Sequence, residues 1–225
     1  MRGHAAAIIP VKPLETSLGR LADVLDGPRR RALQAAMLAD VLGACTHASR
    51  LAATYLVTAD PGAAVIAGTF GARLVDDHSP PQGINPAVER GQSQAIADGY
   101  RSALVMTADL PQITPTAIDG VIEAGGGFDA TLVPSESGTG TNAMLLRPPD
   151  VLRPEFGSGS LARHIAQASA ARIRHQILEV GNLAIDVDTP EDLLEAIRSG
   201  AVGMEFARAC RVLRIDASLP EACPS

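Results

Sequence analysis

A strand that is apolar on both faces and stops at an acid is the tightest constraint this sequence carries. Ser102-Ala103-Leu104-Val105-Met106 runs without polar alternation into Thr107-Ala108-Asp109-Leu110-Pro111. Such a run suits the interior of a parallel sheet covered by helices on both faces. Pro111 offers no N–H to a ladder, so pairing ends before it. Asp109 therefore lies past the carboxyl end of a central strand, where open α/β sheets bind ligands. A carboxylate there suits a hard cation such as magnesium. It equally suits capping of the next turn or helix.

The rest of the chain repeats the alternation of strand and helix. Residues 5–11 read as a first strand running into Lys12-Pro13-Leu14, with Arg20 in the loop beyond. A helix over 28–47 carries Leu33, Met37, Leu38, Val41 and Leu42 on one stripe, with Pro28 in its first turn. A strand over 54–58, a short helix over 61–70 and a short strand over 72–75 follow. Residues 76–86 form a polar, proline-containing loop before a helix over 86–100. Asn85 is either the N-cap of that helix or an amide offered to a nucleobase edge. Thr114-Pro115 opens a helix that Gly125-Gly126-Gly127 ends.

Strands over 130–134, 143–146 and 173–178 flank two small-residue segments. In Ser135-Glu136-Ser137-Gly138-Thr139-Gly140-Thr141-Asn142 the small residues are either turn chemistry or donors to an anion. Phe156-Gly157-Ser158-Gly159-Ser160 leads into a helix, where free N–H groups and the helix dipole favour an anion. Ser160 is the expected N-cap there, alone or with a ligand. A short strand over 184–188 sets Asp186 and Asp188 on one side, ahead of a helix begun by Pro190-Glu191. Asp188 is a candidate N-cap for that helix, and a further helix is expected over 205–213. The whole reads as a three-layer α/β/α sandwich with a mostly parallel central sheet. It forms one domain over 1–216, with a loose tail over 217–225.

Composition removes several function classes. A net charge of −6 and an aromatic share of 3% oppose both phosphate-backbone binding and base stacking. Three cysteines without a C-x-x-C pair fit neither a disulfide framework nor a zinc site, and suit a reducing cytoplasm. No apolar stretch approaches the ~20 residues of a membrane span. No G-x-G-x-x-G follows the first strand, and no G-x-x-x-x-G-K-[ST] occurs anywhere. The expected partners are small anionic molecules, held by local cations such as Lys12 and Arg20 or by a metal. Nucleic acid and membrane are not expected, and the sequence leaves an oligomer open.

Taken in order, several segments resemble one known family. They are Ile9-Pro10-Val11-Lys12-Pro13-Leu14, Arg20-Leu21, Gly83-Ile84-Asn85, Ala108-Asp109-Leu110-Pro111, Gly138-Thr139-Gly140-Thr141-Asn142, Phe156-Gly157-Ser158-Gly159-Ser160 and Asp186-Val187-Asp188-Thr189-Pro190. The chain is similar to the guanylyltransferases that activate 2-phospholactate or phosphoenolpyruvate in biosynthesis of the 5-deazaflavin coenzyme (coenzyme 420). The resemblance implies a nucleotidyltransferase fold of the nucleotide-diphospho-sugar transferase type. It implies GTP as substrate and magnesium held by Asp109 and Asp188. Lys12, Arg20 and Asp109 would be catalytic, with Pro13 and Asn85 joining them in the nucleotide site. Thr141, Gly157 and Ser160 would contact the phospho-acid, and phosphoenolpyruvate is the bacterial acceptor it implies. The family usually has a lysine and a small hydroxyl residue before the first-loop arginine, where this chain has Leu18-Gly19. Lys12 and Arg20 are then left to hold the triphosphate. The rivals are a nucleotidyltransferase with another acceptor (3-phosphoglycerate, a sugar phosphate, a molybdopterin-type cofactor), a non-catalytic GTP-binding module and a glycosyltransferase using Asp186-Val187-Asp188.

Overall fold

The computed structural model describes residues 5–77 and 83–216. The tail over 217–225 and the middle of the loop expected over 76–86 lie outside the described residues. In chain order the elements are β1 (Ala5–Pro10), α1 (Gly27–His47), β2 (Leu51–Thr58), α2 (Pro61–Thr69), β3 (Arg73–Asp76), α3 (Ile84–Ala97), β4 (Ser102–Met106) and α4 (Pro115–Ala124). Then come β5 (Ala130–Pro134), β6 (Thr141–Leu146), α5 (Ser160–Ala170), β7 (His175–Ile177), α6 (Gly181–Ala184), α7 (Pro190–Ser199) and α8 (Met204–Leu213). The strands form one sheet in the order β3-β2-β1-β4-β6-β5-β7. Only β6 runs against its neighbours, β4 and β5. The other pairs are parallel. The mostly parallel sandwich expected from the sequence is therefore the fold observed.

Alternation along the strands decides the two faces. Ala5, Ala7 and Ile9 of β1 join a core with Leu104, Met106 and residues of α1, α2 and α4. Ala6 and Ile8 join the opposite core, with Val105 and residues of α3 and α5. Helix α3 lies so close to the sheet that a Cβ on Gly91 would sit 2.4 Å from Ile8 Cγ2. Larger side chains would drive that helix outward.

A third core lies at one end of the sandwich, where Leu18, Leu21, Leu25, Leu33 and Met37 pack with Val187, Leu193 and Phe206. The Asp40 carboxylate on α1 accepts from the N–H groups of Glu205 and Phe206, seating the start of α8. The Gly203 N–H in turn donates to Pro111 O at 2.7 Å. The C-terminal helices are thus tied to the loop that carries Asp109. Among the described residues, no helix is long and apolar enough to cross a membrane.

Four local expectations are corrected. Residues 184–188 join no ladder; Ala184 ends the α6 turn, and an extended segment over 185–188 carries Asp186 and Asp188. The cap of α3 is Gly83, not Asn85, which sits inside the first turn. The cap of α5 is Gly159, whose positive φ of 71° suits a residue without Cβ, and not Ser160. Thr189, not Asp188, caps α7, in a capping box with Asp192.

Candidate active site

The loop leaving β4 is held by its own backbone. The Thr107 N–H donates to Asn142 O at 3.2 Å, and the Asp109 carbonyl accepts from the Val187 N–H at 3.0 Å. Gln34 of α1 donates from Nε2 to the Ala108 carbonyl at 3.0 Å. With the Gly203 contact to Pro111, partners from four parts of the chain fix the position of Asp109. Its side chain is the exception. Asp109 Oδ1 is buried without a hydrogen-bond partner, as is Thr107 Oγ1. Burial and the nearby charges of Asp186 and Asp188 push the Asp109 carboxyl up to about 7, against the pull of the Thr107 side chain, which lies beside it without a well-aligned hydrogen bond.

Asp186 and Asp188 flank the buried Val187. Asn142 Nδ2 donates to Asp186 Oδ1 at 3.0 Å and to the carbonyls of Leu183 and Ala184. The Asp188 N–H and the Thr189 N–H both donate to Asp192 Oδ2. With Thr189 serving as cap, the Asp188 carboxylate is left to pair with Arg20 Nη1 at 3.3 Å. Both partners of that pair are more than half exposed. Lys12, also exposed, makes no ion pair or hydrogen bond among the described residues.

The first loop reaches its position through groups that do not face a ligand. Leu14 N–H donates to the buried Asp60 carboxylate at 2.8 Å. The Pro13 carbonyl accepts from the Thr16 N–H and from the hydroxyls of Thr16 and Ser17. Leu18, at φ 54°, is the backbone departure that turns the chain into the short 3-10 turn Gly19–Leu21. Its side chain is buried in the third core against residues from the end of the chain.

Two concavities meet at Asp109. One, of about 460 Å³, is lined by Val11, Thr16, Leu18, Gln34, Asp77 and Ala87 among others. The other, of about 650 Å³, is lined by Thr139, Thr141, Gly157, Ser160, Asp186 and Asp192 among others. Lys12, Arg20, Ile84, Thr107, Asp109 and Asp188 belong to both. The sequence-predicted residues Lys12, Arg20, Asp109, Asp188, Thr141, Gly157 and Ser160 therefore share one continuous cleft. Pro13 and Asn85 do not line it. Asn85 Oδ1 accepts from the Phe156 N–H at 2.7 Å and its Nδ2 donates to Phe156 O at 3.4 Å. The amide proposed for a nucleobase is thus engaged by a peptide unit.

In the second concavity, the backbone around Phe156 is fastened on several sides. Besides Asn85, Arg163 donates to the carbonyls of Glu155 and Ser158. The Leu161 N–H donates to Thr139 O, linking this turn to the hairpin loop between β5 and β6. That loop is closed by Ser135, whose hydroxyl accepts from the Gly140 N–H. A Cβ on Gly140 would sit 2.8 Å from that hydroxyl oxygen, so the tight turn needs glycine there. Among the described residues, the N–H groups of Gly157, Ser158 and Gly159 have no protein acceptor. They stand beside the start of α5, an arrangement suited to an anion.

Asn142, Gln34 and Thr107 have no role in the sequence reading, and Asp186 has one only in the glycosyltransferase rival. Asn142 sits within the Gly-Thr-Gly-Thr segment, so its position was marked although its duty was not. Gln34 lies on an amphipathic helix with no sequence signal of its own. The cleft offers hard oxygen donors suited to a divalent cation. Among the described residues no three His, Cys, Asp or Glu side chains form a metal group. A magnesium ion here would complete its shell with ligand phosphate and water.

Comparison with known proteins gives the family and the fold. Residues 5–223 match the family described as guanylyl transferase CofC like. The phosphoenolpyruvate guanylyltransferase of Conexibacter woesei is 40% identical over 194 residues, covering 85% of this chain and 86% of that one. The enzyme of the same name from Sphaerobacter thermophilus is 39% identical over 197 residues, covering 88% and 94%. A nucleotidyl transferase from Methanothermobacter thermautotroptrophicus shares the fold with a TM-score of 0.62 at 16% identity, over 91% of this chain and 98% of the other.

Proposed function

The chain belongs to the CofC-like guanylyl transferase family, and on that premise we propose that its cleft condenses GTP with phosphoenolpyruvate, releasing pyrophosphate. The observation that carries this reading is the unpartnered, buried Oδ1 of Asp109 where the two concavities join. A buried carboxylate with one oxygen lacking a well-aligned partner, and with only the Thr107 side chain beside it to favour the ionised form, is costly unless a cation or proton meets it. The concavity beside Lys12, Thr16 and Gln34 takes the nucleotide. The concavity beside Thr141, Gly157 and Ser160 takes the phospho-acid.

The acceptor's phosphate oxygen attacks the α-phosphorus of GTP, and the bond to the bridging oxygen of pyrophosphate breaks. A phosphate monoester is largely dianionic near neutral pH, so no general base has to remove a proton. What the protein supplies is positioning and relief of charge. Lys12 is free to meet the triphosphate, and Arg20 can exchange its exposed pairing with Asp188 for phosphate. When bound by Asp109 and Asp188, magnesium supplies Lewis-acid screening between the two anions. The N–H groups of Gly157 to Gly159 and the hydroxyls of Thr141 and Ser160 hold the acceptor. Phosphorylated small-molecule substrates of this kind, and the buried free thiols of Cys45 and Cys210, support a cytoplasmic reaction.

The test is one coupled pyrophosphate-release assay with GTP and magnesium, offering phosphoenolpyruvate, 2-phospholactate and 3-phosphoglycerate in turn. Turnover is expected to be fastest with phosphoenolpyruvate. Preference for 3-phosphoglycerate would transfer the reading to another acceptor, and nucleotide binding with no pyrophosphate from any of them would refute it.

A further inference from the structure

His164 of α5 is wholly buried, with 0% exposure, yet both of its ring nitrogens are engaged. The backbone N–H of Glu155 lies 2.9 Å from Nε2. A backbone N–H can only donate, so Nε2 must be the acceptor and the ring must be neutral. The ring proton is then on Nδ1, which lies 3.1 Å from Thr141 Oγ1. Nδ1–H donates to that oxygen, and the hydroxyl proton of Thr141 is left for another acceptor. Thr141 lines the larger concavity together with Gly157 and Ser160. The Glu155 N–H thus fixes, through one imidazole, the direction of a hydroxyl on β6.

We propose that His164 is a positioning residue for acceptor binding, orienting the Thr141 hydroxyl to donate into the cavity while holding the turn at residues 155–159 against β6. The proposal rests on the reading of that cavity as the phospho-acid site. Burial and the neighbouring charge of Arg163 push the His164 ring down to about 4, which keeps it neutral at working pH. The ring also meets Phe156 edge-on, with centroids 5.3 Å apart. One residue therefore registers both sides of the cavity, the hairpin strand through Thr141 and the glycine turn through Glu155. An apolar residue could fill this space, but it could neither accept from Glu155 nor set the Thr141 proton.

Two substitutions separate the bonds. In His164→Gln the longer amide can still accept from the Glu155 N–H and loses Thr141. In His164→Asn the shorter amide can still donate to Thr141 and loses Glu155. Acceptor KM is expected to rise about tenfold in His164→Gln, the loss of one hydrogen bond, with GTP KM and melting temperature close to wild type. His164→Asn is expected to keep acceptor KM within about threefold of wild type while melting lower. Acceptor KM that follows melting temperature across both variants would reduce His164 to a packing residue and overturn the proposal. Thr141→Val gives a second route that does not touch the helix. Added to it, His164→Gln should cause no further change in acceptor KM, and a full additional tenfold loss would overturn the proposal. Wild-type protein that turns over none of the three acceptors would instead overturn the underlying reading of the cavity.

Discussion

The two ends of the cleft are built in opposite ways. At the glycine-turn end the main chain is fastened by Asn85, Arg163, His164 and Ser135. The shape is set before a ligand arrives. At the first-loop end, Lys12 has no partner among the described residues and Arg20 has one exposed, exchangeable ion pair. Exposed pairs of that kind contribute about 0–1 kcal/mol. The difference teaches where each ligand's affinity originates. A small acceptor has few atoms and needs a preorganised cradle. A triphosphate carries enough charge to draw mobile cations onto itself.

Asp109 belongs to neither end, and the largest effect should follow from changing it. Asp109→Asn is expected to reduce pyrophosphate release on the order of 10²–10³-fold, the scale seen when a preorganised charge-stabilising group is removed. The fold should persist, because the backbone bonds that hold the loop do not involve the carboxylate. Circular dichroism together with turnover checks both halves. Turnover within threefold of wild type would break the comparison, since both ends are held to converge on this residue.

Lys12→Ala comes next, with an expected loss of about 10–100-fold in turnover per GTP KM. Acceptor KM should change little. If the first-loop end is the adaptable one, raising ionic strength should weaken GTP binding more than acceptor binding, because exposed charges are screened over about 8 Å at physiological salt. Titrating GTP and phosphoenolpyruvate separately at two salt concentrations makes this visible. Equal salt sensitivity of both substrates would erase the distinction between the ends.

How legible these ends were in the sequence follows from how each is made. The apolar runs in β1 and β4 and the stripe in α1 announced the sandwich because they obey local periods. Asp109 and Asp188 were marked by the prolines that follow them. The caps expected at Asn85 and Ser160 lie elsewhere because a cap depends on backbone angles that these side chains do not announce. Gly83 and Gly159 take those positions with φ of 103° and 71°. The strand expected over 184–188 was inferred from alternation of Asp186, Val187 and Asp188. Alternation fixes which way side chains point, but a strand also needs a neighbour, and this segment bonds to the Asp109 loop instead. His164 gave no sequence signal, since its two partners are 23 and nine residues away.

Ser160 offers a finer test of the preorganised end. Because Gly159 is the cap, Ser160→Ala removes no capping bond, and melting should barely move. Acceptor KM should rise about five- to tenfold, as for one lost hydrogen bond to an anion. A variant that melts lower with unchanged acceptor kinetics would return Ser160 to a purely structural role.

The smallest effect concerns stability of the ligand-free protein, and it isolates the junction between the ends. The Asp109 carboxyl is raised from 3.8 to about 7 by burial, with Asp186 and Asp188 adding to it. The folded state therefore binds this proton more tightly than the unfolded chain does. Its stabilising contribution is complete below about 3.8 and is lost as pH rises through about 7. Asp40, Asp186 and Glu136 are raised too and act in the same direction. Comparison with Asp109→Asn subtracts them. Between pH 5 and pH 8 the wild type should lose a few degrees of Tm more than the variant, since 1 kcal/mol moves Tm by about 2–4 °C in a chain of this size. GTP with magnesium should restore the wild type at pH 8, because a cation favours the ionised carboxylate, and should do less for the variant. Equal pH slopes in the two proteins would mean that Asp109 is not the carboxylate left waiting for a charge.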